Sequence, residues 1–316
     1  CLLSISADFI ARYKRLEGFD VKFVTGTDEH GQKIQKSAEK NNLPPLEFCN
    51  KISKVFLDLV KLLNLSTTGF IRTTENRHHK TVQKLWKILE EKKFIYLSKY
   101  SGWYSISDEA FYSETEIIGK ENTKLCKATG SIVEWVEEES YFFKLSEFQN
   151  ILIKHYEDNP DFILPISRKN EVLSFVKDGL KDLSISRNSF KWGIPVPNSK
   201  DHIIYVWLDA LANYLTASNY DEESCFWPAD VHVIGKDILR FHAVYWPAFL
   251  FAANIPLPKK IFGHGWILSG DEKMSKSKGN ILDPIEIIEQ FGLDEIRYYL
   301  MKEVMYGLDG KINIDT

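Results

Sequence analysis

The feature that most limits the fold is a recurring order of short apolar strand, polar loop and helix. The apolar run "VKFV" (21–24) leads into "TGTDEHG", and then into the helical pattern "QKIQKSAEKN". The order returns in "HIIYVWLDALANYL" (202–215) and again in "VHVIGKDILRFHAVYWPAFLFAAN" (231–254). A short continuous apolar run reads as a buried strand, and apolar spacings of three and four read as a helix face. Their alternation predicts α/β architecture with a doubly wound parallel sheet.

The chain opens inside a helix. Leu2, Ile5, Phe9, Ile10, Tyr13 and Leu16 have helical spacing, and Gly18 is the stop. A doubly wound sheet ordinarily begins with a strand, so one strand and its turn are expected before Cys1. The texture changes over residues 98–200. There "YSGWYSISDEAFY" and "GSIVEWVEEESYFFKLS" alternate and are aromatic, which predicts antiparallel strands, with helical patterns at 148–156 and 171–177. The expected division is therefore 1–97 for the first half of the sheet domain and 98–200 for an inserted α+β connective domain. Residues 201–260 are then the second half, and 261–316 hold a strand, a lysine-rich loop and two helices.

Composition narrows the classes. Of 316 residues, 44% are apolar and 13% aromatic, enough for a packed core and against disorder. Lys plus Arg total 40 against 44 Asp plus Glu, which excludes a generally basic nucleic-acid binder while leaving room for a local basic patch. The cysteines, Cys1, Cys49, Cys126 and Cys225, form no C-x-x-C pair. Neither structural zinc nor a disulfide is expected, and the pattern suits a reducing compartment. The apolar stretch "WPAFLFAANI" (246–255) is too short to cross a bilayer, so no membrane association is expected.

In an open parallel sheet, ligands bind beyond the carboxyl ends of the strands. "TGTDEHG", "WLDA" and "GKDI" are each expected at such an end. Ile238, His242 and Trp246 are spaced four apart and share a helix face. With Trp207 and Tyr214 they outline an aromatic pocket with few polar groups, as small-ligand sites have. The same spacing suits a plain core face. The stretch "DEKMSKSKGNILDP" (271–284) holds three lysines, two serines and a glycine within residues 273–279. Such a run suits a solvated loop, or a mobile loop that meets phosphate.

The residues "KMSKS" (273–277) match the second signature loop of class I aminoacyl-tRNA synthetases. "FVTGTDEHGQKI", "YVWLDALANYL", "VIGKDILRFHAVYWPAFL" and "WGIPVP" (192–197) resemble the methionyl-tRNA synthetases in particular. The resemblance covers essentially the whole chain. It implies a Rossmann-like nucleotide-binding domain and a C-terminal stem-contact segment carrying the lysine loop. It also implies a methionine–tRNA ligase that uses ATP with Mg²⁺ and serves tRNA(Met), in the cytoplasm or an organellar matrix.

Residue by residue, the resemblance implies that Lys273 and Lys276 act on the phosphates as charge develops. Asp28 takes the substrate ammonium, although its place before "QKIQ" also suits a helix N-cap. Trp207, Ala210, Leu211, Tyr214, Ile238, His242 and Trp246 line the methionine pocket, Leu211 standing where many relatives carry proline. Gly235 and Asp237 approach the ribose or amino group. His264, Gly265, Trp266 and Ile267 form the adenine side, with Lys276 on the triphosphate.

The family's first signature, an HIGH-type tetrapeptide, is expected before Cys1, and its helical anticodon-binding domain after the last segment. A chain of this span is expected to be almost inert in adenylation by itself. The insertion of some relatives holds zinc by four cysteines; here only Cys126 lies in it, so a metal-free version is expected. Two other readings stay open: a class I synthetase for another amino acid, and a non-catalytic binding protein of synthetase descent.

Overall fold

A computed structural model describes residues 2–119, 123–220, 222, 225–269, 272–273 and 283–312; for 269, 272, 273, 303 and 312 it describes the backbone only. Lys276 and most of the lysine-rich loop lie outside the described residues.

The chain starts with helix α1 (Leu2–Leu16), as its apolar spacing predicts. Strand β1 (Val24–Thr27) leads into α2 (Gln32–Lys40) and α3 (Pro45–Leu62), then β2 (Gly69–Arg72) and α4 (Asn76–Glu91). Next come β3 (Ile95–Ser105), β4 (Ala110–Tyr112), β5 (Ile117–Ile118), β6 (Lys124–Cys126) and β7 (Ile132–Phe143). Helices α5 (Gln149–Asp158) and α6 (Ile166–Lys177) flank β8 (Ile163–Leu164), followed by β9 (Leu183–Ser184), β10 (Ser186–Arg187) and β11 (Ile203–Ile204). The last part runs through α7 (Val206–Ala217), β12 (His232–Gly235), α8 (Trp246–Ala253), β13 (Ile261–His264), β14 (Ile267–Ser269) and β15 (Glu272–Lys273). It ends with α9 (Pro284–Phe291), α10 (Leu293–Glu303) and β16 (Gly310–Ile312).

The fold is mixed α/β with parallel pairing, as the strand–loop–helix order predicts. Parallel pairs occur in three separate sheets among the described residues: β1 with β2, β12–β13–β8, and β14 with β16, to which β15 adds antiparallel on β14. The aromatic, alternating segment forms an antiparallel sheet in the order β4–β3–β7–β6–β5, with β9 added on β7. β8, from within residues 98–200, joins β13 in the parallel sheet rather than the antiparallel one.

One large core joins these layers. Leu85, Trp86 and Leu89 of α4, Leu208 and Leu211 of α7, and Phe249 and Leu250 of α8 meet Phe143 of β7, all nearly inaccessible. Each such side chain contributes roughly 1.5–3 kcal/mol when fully buried. A smaller core of Leu2, Ile5, Leu63, Leu300 and Val304 fastens α10 to α1. Beside it, the buried Asp8 accepts from Arg12 Nε at 2.7 Å, Arg297 Nη2 at 2.5 Å and the Ser66 amide at 2.6 Å. Burial alone would raise the Asp8 pKa, but the hydrogen bonds from Ser66, Arg12 and Arg297 prevail and bring it down to about 2. The carboxylate thus ties α10 to the first helix and to the loop before β2.

Three local readings are corrected. The strand expected at 21–24 begins at Val24, because pairing with β2 starts opposite Gly69, and it is only partly buried. "HIIYV" does not supply a strand of the parallel sheets: β11 is two residues long and pairs antiparallel with β10, and α7 starts at Val206 itself. "WLDA" therefore lies in the first turns of a helix rather than after a parallel strand. Finally, the run after "GKD" is not one regular helix. Lys236–Ile238 form a 3₁₀ turn and Phe241–Tyr245 a π-turn before α8. A π-turn holds more residues per turn than an α-helix, so four-residue spacing no longer stacks side chains directly.

Candidate active site

The loop that follows β1 is pinned from several sides. The buried Glu29 accepts from Arg72 Nε at 2.8 Å and Nη2 at 3.0 Å, from Thr27 Oγ1 at 2.7 Å and from Thr74 Oγ1 at 2.5 Å. Trp192 donates its indole N–H to the Glu29 carbonyl at 2.6 Å and accepts the Gly31 amide at 3.2 Å. His30 stands 2.7 Å by Nδ1 from Oδ2 of Asp209, and His78 Nε2 stands 2.7 Å from Oδ1 of the same carboxylate. Asp209 has no exposed surface. Burial opposes its ionisation, yet the two histidine hydrogen bonds outweigh this and hold its pKa below the usual carboxylate range. A carboxylate only accepts, so both histidines donate. This buried acid joins the loop after β1, helix α4 and helix α7.

Asp28 projects from the same loop and keeps solvent-accessible surface, although protein atoms crowd closely around its carboxyl. Enclosure by the surrounding protein, followed by the negative charges of Asp209 and Glu109, pushes its pKa well above the usual range. The His30 amide is its one opposing influence in that group. Carboxyls crowded in this way favour the arrival of a cation. Asp28 does not cap α2: the N-cap is Gly31, at φ 106°, with no side-chain cap of its own. The cap bond comes instead from Glu109, whose Oε1 accepts the Lys33 amide at 3.4 Å.

Trp207, Ala210 and Tyr214 share the partly open face of α7, whereas Leu211 is fully buried in the main core. Trp207 stacks on Phe241 with centroids 3.7 Å apart and planes at 6°. Tyr214 Oη lies 2.7 Å from His242 Nε2, and His242 Nδ1 lies 3.0 Å from the Ile238 carbonyl. Trp246 lies 6.2 Å from Tyr214 and 6.0 Å from Trp227, centroid to centroid. The indole N–H groups of Trp207 and Trp246 are buried with no hydrogen-bond partner among the described residues. The predicted aromatic residues do come together, and the π-turn is what places His242 against Tyr214. His232, tilted at 30° against Tyr214 with centroids 3.9 Å apart, backs the cluster, and its pKa is pushed well down by burial and by the neighbouring His242.

The other side of the site is built at β12–β13–β14. Gly235 ends β12, and Asp237 follows in the exposed 3₁₀ turn. Lys236 Nζ pairs with both oxygens of Asp309 at 2.6 and 2.8 Å and sits 4.1 Å from the Trp266 ring centroid. Asp309 Oδ1 also accepts the Trp266 amide at 2.8 Å. His264 is buried, with Nδ1 2.8 Å from the Gly265 carbonyl. A side chain at Gly265 would collide with the backbone of Leu308 and Asp309, so this glycine is required by the protein's own packing. Ile267 opens β14, opposite Gly310 of β16 and one residue before the pairing with β15 starts. The backbone of Lys273 lies in β15, opposite Leu268, at the start of the lysine-rich loop.

The expected residues thus gather into three places: Asp28 at the loop after β1, the aromatic group on α7 and the π-turn, and the segment His264–Ile267 that joins β13 to β14. Sequence reasoning missed Asp209, His30, His78, Glu109, Phe241 and Asp309. "TDEHG" and "WLDA" had marked two of these segments, but a bond between residues 179 apart has no sequence signature. Among the described residues there is no group of three or more His, Cys, Asp or Glu arranged to hold a metal ion. Nor is there a helix long and apolar enough to cross a membrane.

Comparison with known proteins bears on the family and the fold. Residues 1–316 match the family described as tRNA synthetases class I (M). Methionine–tRNA ligase of Rickettsia conorii is 56% identical over 97% of this chain, and that of Rhizobium meliloti is 54% identical over 97%. The chain spans 60% of the length of each, about three fifths. Among solved structures, Mycobacterium tuberculosis methionyl-tRNA synthetase in complex with methionyl-adenylate has a TM-score of 0.97 at 50% identity. It covers 99% of this chain and 63% of its own. The apo form of the same enzyme gives a TM-score of 0.85 at 45% identity, over 99% of this chain and 60% of its own. With a family match along its whole length and a backbone that follows the methionyl-tRNA synthetase structure, this chain belongs to the tRNA synthetases class I (M).

Proposed function

We propose that the protein containing this chain is a methionine–tRNA ligase, which activates methionine with ATP and transfers it to tRNA(Met). The observation that carries this reading is an acid coupled to the helix that bears an aromatic group. The carboxyl of Asp28 feels the charge of Asp209 on α7, and α7 also carries Trp207 and Tyr214, against which His242 and Trp246 lie. An ammonium group suits the first and a polarizable thioether the second, since sulfur gains about 0.3–1.5 kcal/mol per aromatic contact. The adenylate-bound relative, to which the backbone is so similar, supports the same reading.

In this reading the methionine carboxylate attacks the α-phosphate of ATP and pyrophosphate leaves. The adenylate then passes its acyl group to the terminal ribose of tRNA. No side chain becomes covalent, so catalysis is positioning and charge stabilisation. Asp28 holds the ammonium. Trp207, Ala210, Tyr214, Ile238, His242 and Trp246 shape the pocket, with Leu211 supporting it from the core. Gly235 and Asp237 approach the ribose or the amino group, and His264 to Ile267 flank adenine. Lys273 and Lys276 close on the phosphates; Mg²⁺ enters with ATP, as it commonly does with nucleotide substrates. The four-part division at residues 97, 200 and 260 is retained as the working domain scheme. The cytoplasm is the assigned compartment, with an organellar matrix as the alternative.

The test is amino-acid-dependent ATP–pyrophosphate exchange by the full-length protein across the standard amino acids. Exchange with methionine alone is expected. Exchange driven by isoleucine, leucine, valine or cysteine instead would assign another class I specificity, and no exchange with any amino acid would favour a binding protein.

A further inference from the structure

We propose that Glu109 is a positioning residue for the ammonium-binding end of the site: from the β3–β4 corner it caps α2 and holds the Asp28–Gly31 loop in shape. The proposal rests on the methionine-activating reading of that site.

Glu109 closes the corner between the paired residues Ser105 and Ala110, with φ at 49°. Glycine or asparagine is at ease in this left-handed region, whereas a glutamate is conformationally disfavoured there. A strained backbone persists when the surroundings over-determine it. Here they do: buried Tyr205 donates its hydroxyl to the Glu109 carbonyl at 2.7 Å. The preceding Asp108 accepts from Tyr112 Oη at 2.8 Å, Thr129 Oγ1 at 2.7 Å and Ser131 Oγ at 2.7 Å. A corner that needed only to turn would be served better by glycine. The side chain is what glutamate adds, so its destination gives the reason.

That destination is the loop after β1. Glu109 Oε1 accepts the Lys33 amide, and Lys33 Nζ reaches back to the Ser107 carbonyl at 3.3 Å. A Cβ on Gly31 would overlap the same carboxylate oxygen, so Gly31 is glycine both for its φ of 106° and for the room that Glu109 occupies. Gly31 caps α2 without a side chain, and Glu109 supplies the missing acceptor from 76 residues away in sequence. A cap acceptor fixes where a helix begins. The N-cap of this helix, Gly31, lies three positions after Asp28, so the cap also fixes the aim of Asp28. Glu109 also lies close enough for its charge to lift the Asp28 carboxyl.

The experiment compares E109G and E109Q in the full-length enzyme. It measures methionine and ATP KM separately in pyrophosphate exchange, the melting temperature, and amide hydrogen exchange over residues 31–36. E109G suits the left-handed corner but removes the acceptor. It is expected to melt no lower than wild type, to raise methionine KM about tenfold with ATP KM within about threefold, and to speed exchange at the start of α2. E109Q keeps an acceptor oxygen and is expected to stay within about threefold of wild type in each constant. An E109G enzyme with unchanged methionine KM and unchanged α2 exchange overturns the proposal. So does equal impairment of E109Q, which would assign the effect to charge. If wild type shows no methionine-dependent exchange, the ligase reading fails, while hydrogen exchange still decides whether Glu109 holds the loop.

Discussion

Tyr214 and His242 satisfy each other: the Tyr214 hydroxyl lies 2.7 Å from Nε2 of His242. Because Nδ1 faces the Ile238 carbonyl at 3.0 Å, and a carbonyl only accepts, the ring proton sits on Nδ1. Nε2 is then the acceptor and Tyr214 the donor. In the proposed methionine site the pair therefore offers ring surface rather than a free donor or acceptor. A pocket closed in this way selects by shape and polarizability.

Replacing Tyr214 with phenylalanine leaves His242 Nε2 buried without its donor. An unsatisfied buried polar group costs about 1–3 kcal/mol, so Y214F is expected to lose stability of that order in urea unfolding. In the full-length enzyme, methionine KM is expected to rise about three- to tenfold with ATP KM nearly unchanged. A Y214F protein as stable as wild type, with normal methionine KM, would show the bond to be incidental.

The same geometry makes a pH prediction. Burial lowers the His242 pKa from 6.5 to about 4. The unfolded chain therefore binds more protons than the native one between those values, and stability rises with pH across the interval. The contribution of His242 is fully present above pH 6.5 and is progressively lost as pH falls toward about 4. H242Q should flatten this acid limb by on the order of 3 kcal/mol, while the buried His232 retains part of the slope. Urea titrations at several pH values read this directly. A slope identical to wild type would contradict the assigned neutral state.

Asp209 is the acceptor for two histidines at once. In D209N one side of the amide presents N–H groups to a histidine that is already donating. The resulting conflict in a fully buried site is expected to cost about 3 kcal/mol. Chemical unfolding of D209N against wild type checks it, and a loss under about 0.5 kcal/mol, the usual range for a surface change, would remove Asp209 from the framework of the site.

Lys276 belongs to the "KMSKS" signature and lies outside the described residues. If it stabilises the charge that builds on the leaving pyrophosphate, K276A in the full-length enzyme should lower kcat by about 100- to 1000-fold. The two KM values should move far less, and the melting temperature should hold. A normal kcat would return the loop to the solvated class.

The insertion is expected to fold without zinc. Exhaustive dialysis against a chelator should leave the melting temperature of the protein unchanged. Asp108, which accepts from three hydroxyl groups, cross-links that region. D108A should cost about 1–3 kcal/mol. Stoichiometric zinc whose removal unfolds the protein would reverse both expectations.

Local pattern alone determined the element types along most of the chain. The amphipathic spacing of α1 and α4, the alternation of β3 and β7 and the strand before "GKD" all reflect short-range sterics and the side-chain periods of helix and strand. The signature stretches likewise identified the family, because their residue types and order are carried within a few consecutive positions. Only the tertiary structure decided three matters. β11 pairs antiparallel because β10, not a parallel neighbour, lies beside it. The π-turn at Phe241–Tyr245 replaces a regular helix and brings His242 to Tyr214. The Asp209–His30–His78 cluster and the Glu109 cap join residues far apart in sequence. Periodicity reports which face of an element is apolar, but not which distant element will cover it. Buried polar bonds depend on that second fact, so they emerge only when the chain has folded around them.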